Sequence, residues 1–353
     1  MQPFQSARVL AAVLGDPAAL PVDAGQRTEL FNLAVQEGLG PLLAKTIRPF
    51  VFDEDRRRCD AILGKSWIWH DRMLSAATSV AGALEASGVK ALSLKGPVLA
   101  LRHYRPPFLR RPSGDLDIGV AFADLERACA ALGSLGYVLE GSLAASMATT
   151  HHAALVPPQS GGLPSIDLHF RLTQGTLGVP IANLLEAAIP FELPGGLGTW
   201  VQDPADELMH LGLHAVYGRF CPLFHLFEFH RLWRAAEPAV RERAVSRARE
   251  FHLVGGLRML DVAFHCIWNE PLLNNGMELP RTWLDSRIDD RLLRDFESWK
   301  VATEAEGGHG GSFGSRIQGR WLDFQLTDRP IDALRLCWSL CQLMIVRLKR
   351  DVK

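Results

Sequence analysis

Asp115 and Asp117 stand two residues apart in the run Asp115-Leu116-Asp117-Ile118-Gly119-Val120. Acid and apolar residues alternate there with the period of two that a strand requires. Both carboxylates therefore share one face, and Leu116 and Ile118 share the other. Two acids side by side repel each other unless a cation lies between them, so a divalent metal site is the first chemistry this spacing suggests. A second alternating run, Ile166-Asp167-Leu168-His169-Phe170-Arg171-Leu172, puts Asp167, His169 and Arg171 on one face. If the two runs are neighbouring strands, a third carboxylate joins the first two. Upstream, the short apolar run Ala91–Leu94 ends in Lys95-Gly96. A helical turn from Pro97 to Tyr104 and a Pro- and Arg-rich loop follow, and the loop holds Arg110 and Arg111.

The elements that must position these residues can be read around them. Residues 1–88 read as helices. Leu30, Leu33, Ala34, Leu39, Leu42 and Leu43 recur at near-helical spacing, and Asp60–Ala86 carries a face through Ile62, Leu63, Trp67, Met73, Leu74, Val80 and Leu84. Gly88 stands where a helix-ending glycine belongs, and Arg56-Arg57-Arg58 reads as a solvated face. From Val89 the texture changes. Ala91–Leu94 and Asp115–Val120 read as strands, Ala123–Leu135 as a helix with Leu125, Ala128, Cys129 and Leu132 inward, and Tyr137–Glu140 as a weak strand. His152–Val156 and Ser165–Leu172 flank a Pro- and Gly-rich spacer, which predicts an antiparallel hairpin with a long loop. From Asp203 the pattern is helical again. Asp203-Pro204 reads as a cap followed by Pro at the first helical position, with further helices over Phe224–Trp233, Ala244–Asn269 and Ile331–Lys349. Glu304–Arg316 reads as a glycine-rich loop rather than a phosphate cradle, since no GK[ST] ends it. The expected organisation is α+β: a helical region at 1–88, a small mixed-sheet core at 89–200 and a helical region at 201–353.

The totals narrow the classes. The chain has 353 residues, 48% apolar and 22% charged, which suits a folded globular protein and excludes wholesale disorder. A formal net charge of −1 does not favour nucleic acid as a partner. Six scattered cysteines without CxxC spacing, and no secretory leader pattern, read as reduced thiols in a cytoplasmic protein. No membrane span is expected. His210 and His214 are four apart but enclose no glutamate, and Cys337 and Cys341 lie in an apolar helical stretch; packing is the reading for both pairs. The final Arg347-Leu348-Lys349-Arg350 reads as a solvated helix end.

Lys95-Gly96, the Tyr-Arg-Pro loop, Gly-Asp-Leu-Asp-Ile and Ile-Asp-Leu-His-Phe-Arg together resemble the uncharacterised nucleotidyltransferase family of the DNA polymerase β-like superfamily. The resemblance is specific over about Leu92–Leu172 and looser in the helices after Asp203. It implies a mixed sheet with an acid pair on one strand, a third acid on a later strand and two Mg²⁺ ions. In that superfamily a Gly-Ser usually ends the first strand and meets the nucleotide phosphates. Here the matching pair is Gly96-Pro97, and Lys95 is the candidate to supply a point charge in place of the serine hydroxyl.

The expected activity is Mg²⁺-dependent transfer of a nucleoside monophosphate from an NTP, ATP foremost, to a small-molecule, peptide or protein acceptor. In-line displacement at an α-phosphorus asks for such a set, because two metals can clamp the attacking and leaving oxygens. Asp115, Asp117 and Asp167 are the expected metal ligands, with Asp167 also the candidate base. Lys95, Gly96, Arg110 and Arg111 are the expected nucleotide contacts. Lys95 as a solvated lysine, and Arg110 and Arg111 as ion-pair partners of the acids, stay open. His169 is either a substrate contact or a hydrogen-bonding support for an acid. The rival functions are a catalytically inactive nucleotide-binding protein on the same fold and a terminal nucleotide-adding enzyme acting on RNA.

Overall fold

The structure is a computed structural model that describes residues 3–157, 162–172, 178–218, 220 and 222–273. The helix expected over Ile331–Lys349, the glycine-rich stretch 304–316, the Cys337/Cys341 pair and the final basic run lie outside the described residues. The chain divides into two compact units, Gly38–Glu207 and a second unit of Met1–Glu37 with the residues from Leu208 onward.

In the second unit, α1 spans Pro3–Gly15 and α2 spans Ala24–Gln36. Asp23 caps α2, its carboxylate accepting from the Gln26 N–H at 2.8 Å. In the first unit, α3 is Gly40–Ile47 and α4 runs unbroken over Asp53–Ala86. At 34 residues, α4 is about 50 Å long. Its buried line is Cys59, Ser66, Met73, Ala76, Ala77, Val80 and Leu84. Trp67, expected inward, is 56% exposed. It follows the buried Ser66 and is turned about 100° away from it. Gly88 ends α4 at φ +66°, with Val89 N–H donating back to the Leu84 carbonyl at 2.9 Å.

The sheet follows. β1 is Ala91–Ser93, α5 Gly96–His103, β2 Asp115–Val120, α6 Leu125–Ser134, β3 Val138–Leu139, α7 Leu143–Thr149, β4 His152–Val156, β5 Ser165–His169, α8 Ile181–Glu186, β6 Ile189–Glu192 and β7 Gly198–Val201. The seven strands order as β3-β4-β5-β2-β1-β7-β6. β2 pairs with β5 and β1 with β7 in parallel; every other pairing is antiparallel. The mixed sheet and the β4–β5 hairpin match the sequence reading, while α7, α8, β6 and β7 were not foreseen. Alternation sorts the sheet's faces. Leu116, Ile118 and Val120 of β2, with Ile166, Leu168 and Phe170, pack into one core with α4 and α6. Asp115, Asp117 and Asp167 belong to the opposite face. There Gly119 lets α8 approach, since a Cβ at this position would meet Ile181 Cγ2 at 3.0 Å and Cδ1 at 3.1 Å.

α9 spans Pro204–Tyr217 and carries the chain from the first unit into the second. Asp203 accepts from the Ala205 N–H at 2.9 Å, as a capping acid should. In the second unit, α10 is Phe224–Ala235, α11 Pro238–Glu250 and α12 Val254–Trp268. The single helix expected over Ala244–Asn269 is therefore two. The break falls at Phe251–Leu253, where His252 takes φ +58° and Leu253 N–H returns to the Ala248 carbonyl at 2.7 Å. Buried Glu37 caps α10, accepting from the Leu223 N–H through Oε2 at 2.7 Å. Phe229, Trp233, Phe264 and Trp268 supply aromatic contacts to its core. No helix among the described residues is long and apolar enough to cross a membrane.

Candidate active site

The parallel pairing of β2 and β5 sets Asp117 directly opposite Asp167, and Asp115 opposite Ser165. A ligand atom from each of Asp117, Asp167 and His169 lies within 4.8 Å of the others. Strand alternation and register alone produce this. Two acids at matching positions on parallel neighbours must face each other on one side of the sheet. Asp115 stands one residue pair along and is not in that close group; its Oδ1 accepts from the Ser113 hydroxyl at 2.7 Å.

Asp117 is buried, with its side chain 7% exposed, and its Oδ1 has two cationic or polar neighbours. Lys95 Nζ, 11% exposed, lies 3.0 Å away, and His169 Nε2 also lies 3.0 Å away. Lys95 gets there because β1 pairs with β2 and Leu94 N–H extends that ladder to the Asp117 carbonyl at 3.1 Å. Burial, first of all, raises the Asp167 carboxyl above its ordinary value. Asp117 and Asp115 add to the rise, while His152 and His169 oppose it. His152 Nε2 lies 3.8 Å from Asp167 Oδ1.

Gly96 opens α5 at φ +68°, a conformation that costs an L side chain about 1–2 kcal/mol. Pro97 occupies the first helical turn, where its missing N–H is no loss. α5 is fixed at its far end. Arg102 and His103 both bond to the buried Glu207 carboxylate, His103 Nε2 at 2.6 Å. Arg110, Arg111, Gly96 and Pro97 line one pocket together with Trp69, His70, Met73 and Ser113. The loop carrying the arginines is held to α4 by bonds from Ser66 to the Phe108 carbonyl and from Trp69 Nε1 to the Ser113 carbonyl.

The structure thus gathers Lys95, Asp117, Asp167 and His169 into one cluster and Gly96, Arg110 and Arg111 into one pocket. Sequence reasoning missed His151 and His152. Ring centroids of His151, His152 and His169 lie 4.5–5.3 Å apart. Burial pushes the His151 imidazole down to about 3, and His169, His152 and Lys95 add to that, with Asp117 opposing. The available signal was the pair His151-His152 opening a strand that pairs beside His169. The donor set suits a hard divalent cation. Two facing carboxylates supply the oxygen ligands.

The resemblance implies a mixed sheet with an acid pair on one strand and a third acid on a later strand; here Asp115 and Asp117 stand on β2 and Asp167 on its parallel neighbour β5. The family described as "uncharacterised nucleotidyltransferase" matches residues 23–267, and the chain belongs to it. Its general activity as a transferase of nucleotidyl groups follows from that membership. No curated protein matches the chain. Among solved structures, the antibiotic-resistance factor ANT(2″)-Ia matches at 12% identity and a TM-score of 0.36, over 50% of this chain and 92% of its own.

Proposed function

We propose that this protein moves a nucleoside monophosphate from an NTP, ATP foremost, to a hydroxyl of a small molecule, peptide or protein, with Mg²⁺ as cofactor. The observation that carries the reading is the Asp117–Asp167 register pair, whose ligand atoms lie within 4.8 Å. Asp117 and Asp167 would hold Mg²⁺, with Asp115 completing the set on the same strand face. Two such ions would neutralise charge on the attacking and leaving oxygens. The acceptor oxygen attacks the α-phosphorus, the bond between that phosphorus and the bridging oxygen breaks, and pyrophosphate leaves. Asp167 is the general base that accepts the hydroxyl proton. Gly96 stands at the N-terminus of α5, the end of a helix that favours anions, and Arg110 and Arg111 line the same pocket. With Mg²⁺ on the Asp117 carboxylate, the Lys95 ammonium would be available to the triphosphate. His169, bonded to Asp117, orients that carboxylate.

One observation favours the second reading, an inactive nucleotide binder. Lys95 fills the position beside Asp117 that a cation would otherwise neutralise. Each NTP, labelled at the α-phosphate, separates the two when mixed with Mg²⁺ and fractionated cell extract. Label passing to an acceptor fraction with wild-type protein, and not with Asp117→Asn, is the expected result. NTP binding without transfer from any of the four nucleotides would favour the inactive reading.

A further inference from the structure

Three imidazoles crowd together beside the carboxylate pair, and the proposed transfer uses only His169. His152 opens β4 and stands opposite His169 on β5. His151 precedes it, and its carbonyl accepts from both the Phe170 and Arg171 N–H groups, at 3.1 and 3.2 Å. Those two hydrogen bonds tie His151 to the end of β5 irrespective of what its ring does. One nitrogen from each of the three rings lies within 4.8 Å of the others.

His169 is held by its partner. Its Nε2 lies 3.0 Å from Asp117 Oδ1, which leaves Nδ1 as the ring nitrogen turned away from the acid. His169 is 5% exposed, and its Nδ1 is buried with no hydrogen-bond partner. The His151 Nδ1 is likewise buried without a partner. A buried polar atom in that condition is unfavourable until something satisfies it. A carboxylate that holds one nitrogen of an imidazole while the other bears a free lone pair is the usual support for a metal-bound histidine. Four-coordinate Zn²⁺ with bonds near 2.0–2.1 Å separates its nitrogen ligands by roughly 3.4 Å, so a small closure of the three rings suffices.

We propose that His151, His152 and His169 form a binding site for a borderline divalent transition-metal ion, of which Zn²⁺ is the type, separate in ligand chemistry from the carboxylate site. Three neutral nitrogens suit Zn²⁺ or Co²⁺ and are poor ligands for Mg²⁺, which prefers oxygen. The bound ion joins the start of β4 to the end of β5 beside the acids and leaves a fourth position open. The site does not depend on whether the protein transfers nucleotides, and its test requires no turnover.

The full chain, stripped with EDTA, is titrated with Co²⁺ and followed by visible absorption. An intense band of four-coordinate Co²⁺ saturating at one equivalent is expected. The band should survive excess Mg²⁺ and disappear on adding Zn²⁺. A weak octahedral spectrum, displacement by Mg²⁺, or no band overturns the proposal. His151→Ala and His151→Gln, each checked for folding by circular dichroism, should weaken Co²⁺ binding by about 100-fold, at least the loss typical of removing a ligand's support. A folded variant with wild-type Co²⁺ affinity would also overturn it. Should both variants fail to fold, His152→Gln is titrated in the same way, and wild-type Co²⁺ affinity in that folded variant would overturn the proposal.

Discussion

Lys95 and Asp117 make a buried pair whose arithmetic is close to balanced. At 3.0 Å the gross attraction is about 5 kcal/mol for an effective dielectric of about 20. Removing both charges from water offsets most of it. Truncating one partner is another matter, because Asp117 then keeps its burial and loses its cation. Lys95→Ala is expected to cost the metal-free protein about 1–3 kcal/mol, with His169 limiting the damage. Mg²⁺ should then raise the melting temperature more in the variant than in wild type, since the ion replaces the lost charge. An equal or smaller Mg²⁺ shift would separate Lys95 from the metal's carboxylate. Asp167 gives the pH dependence. Its folded value lies above the ordinary one, so the folded state holds that proton more tightly than the unfolded chain does. The resulting stability is full below the ordinary carboxylate range and is lost as pH rises through the raised value. Asp167→Asn should flatten that loss in metal-free protein. At acidic pH, where that carboxyl holds its proton, Mg²⁺ must expel it, so calorimetry there in buffers of different ionisation enthalpy should show proton release from wild type and less from Asp167→Asn. Equal release from the two proteins would move the proton to another group.

At the scale of elements, β2 and β5 were legible because each buries one face and leaves the other polar. Period two then fixes both the strand and the side on which the acids stand. Their adjacency followed only as a condition, since no local signal states which strands pair. β6 and β7 were not legible. Ile189–Glu192 and Gly198–Val201 are four residues each, β6 pairs only with β7, and the pairing of β7 with β1 is a long-range choice. The break between α11 and α12 was hidden because His252 adopts φ +58° without the glycine that usually marks such a turn. The histidine pair at the start of β4 escaped notice because its chemistry needs His169, which stands 17 positions further along than His152 and opposite it in the sheet. Gly119 tests the layer above the acids. Gly119→Ala would push a Cβ against Ile181 at 3.0–3.1 Å, and a loss of about 1–3 kcal/mol is expected in urea unfolding. Adding Ile181→Val, which shortens the side chain met, should recover part of it. A neutral Gly119→Ala would mean that α8 is free to shift.

Over the whole molecule, a net charge of −1 offers no surplus of cations for a polyanion. Binding to random RNA or DNA at physiological salt is expected to be weaker than about 1 μM, the tight end of ordinary non-specific binding. Submicromolar affinity in a filter or anisotropy assay would instead favour a nucleic-acid acceptor. The account as a whole rests on Asp117 and Asp167 meeting around a divalent ion when nucleotide is present. Mn²⁺ is a paramagnetic stand-in for Mg²⁺, and its bound fraction can be read directly by electron paramagnetic resonance with a non-hydrolysable NTP analogue. Free nucleotide also holds Mn²⁺, so the comparison is between proteins at fixed analogue. Wild-type protein should bind Mn²⁺ beyond the analogue's own share, and Asp117→Asn and Asp167→Asn, both folded, should each lose that excess. Mn²⁺ binding undiminished in both variants would contradict the account.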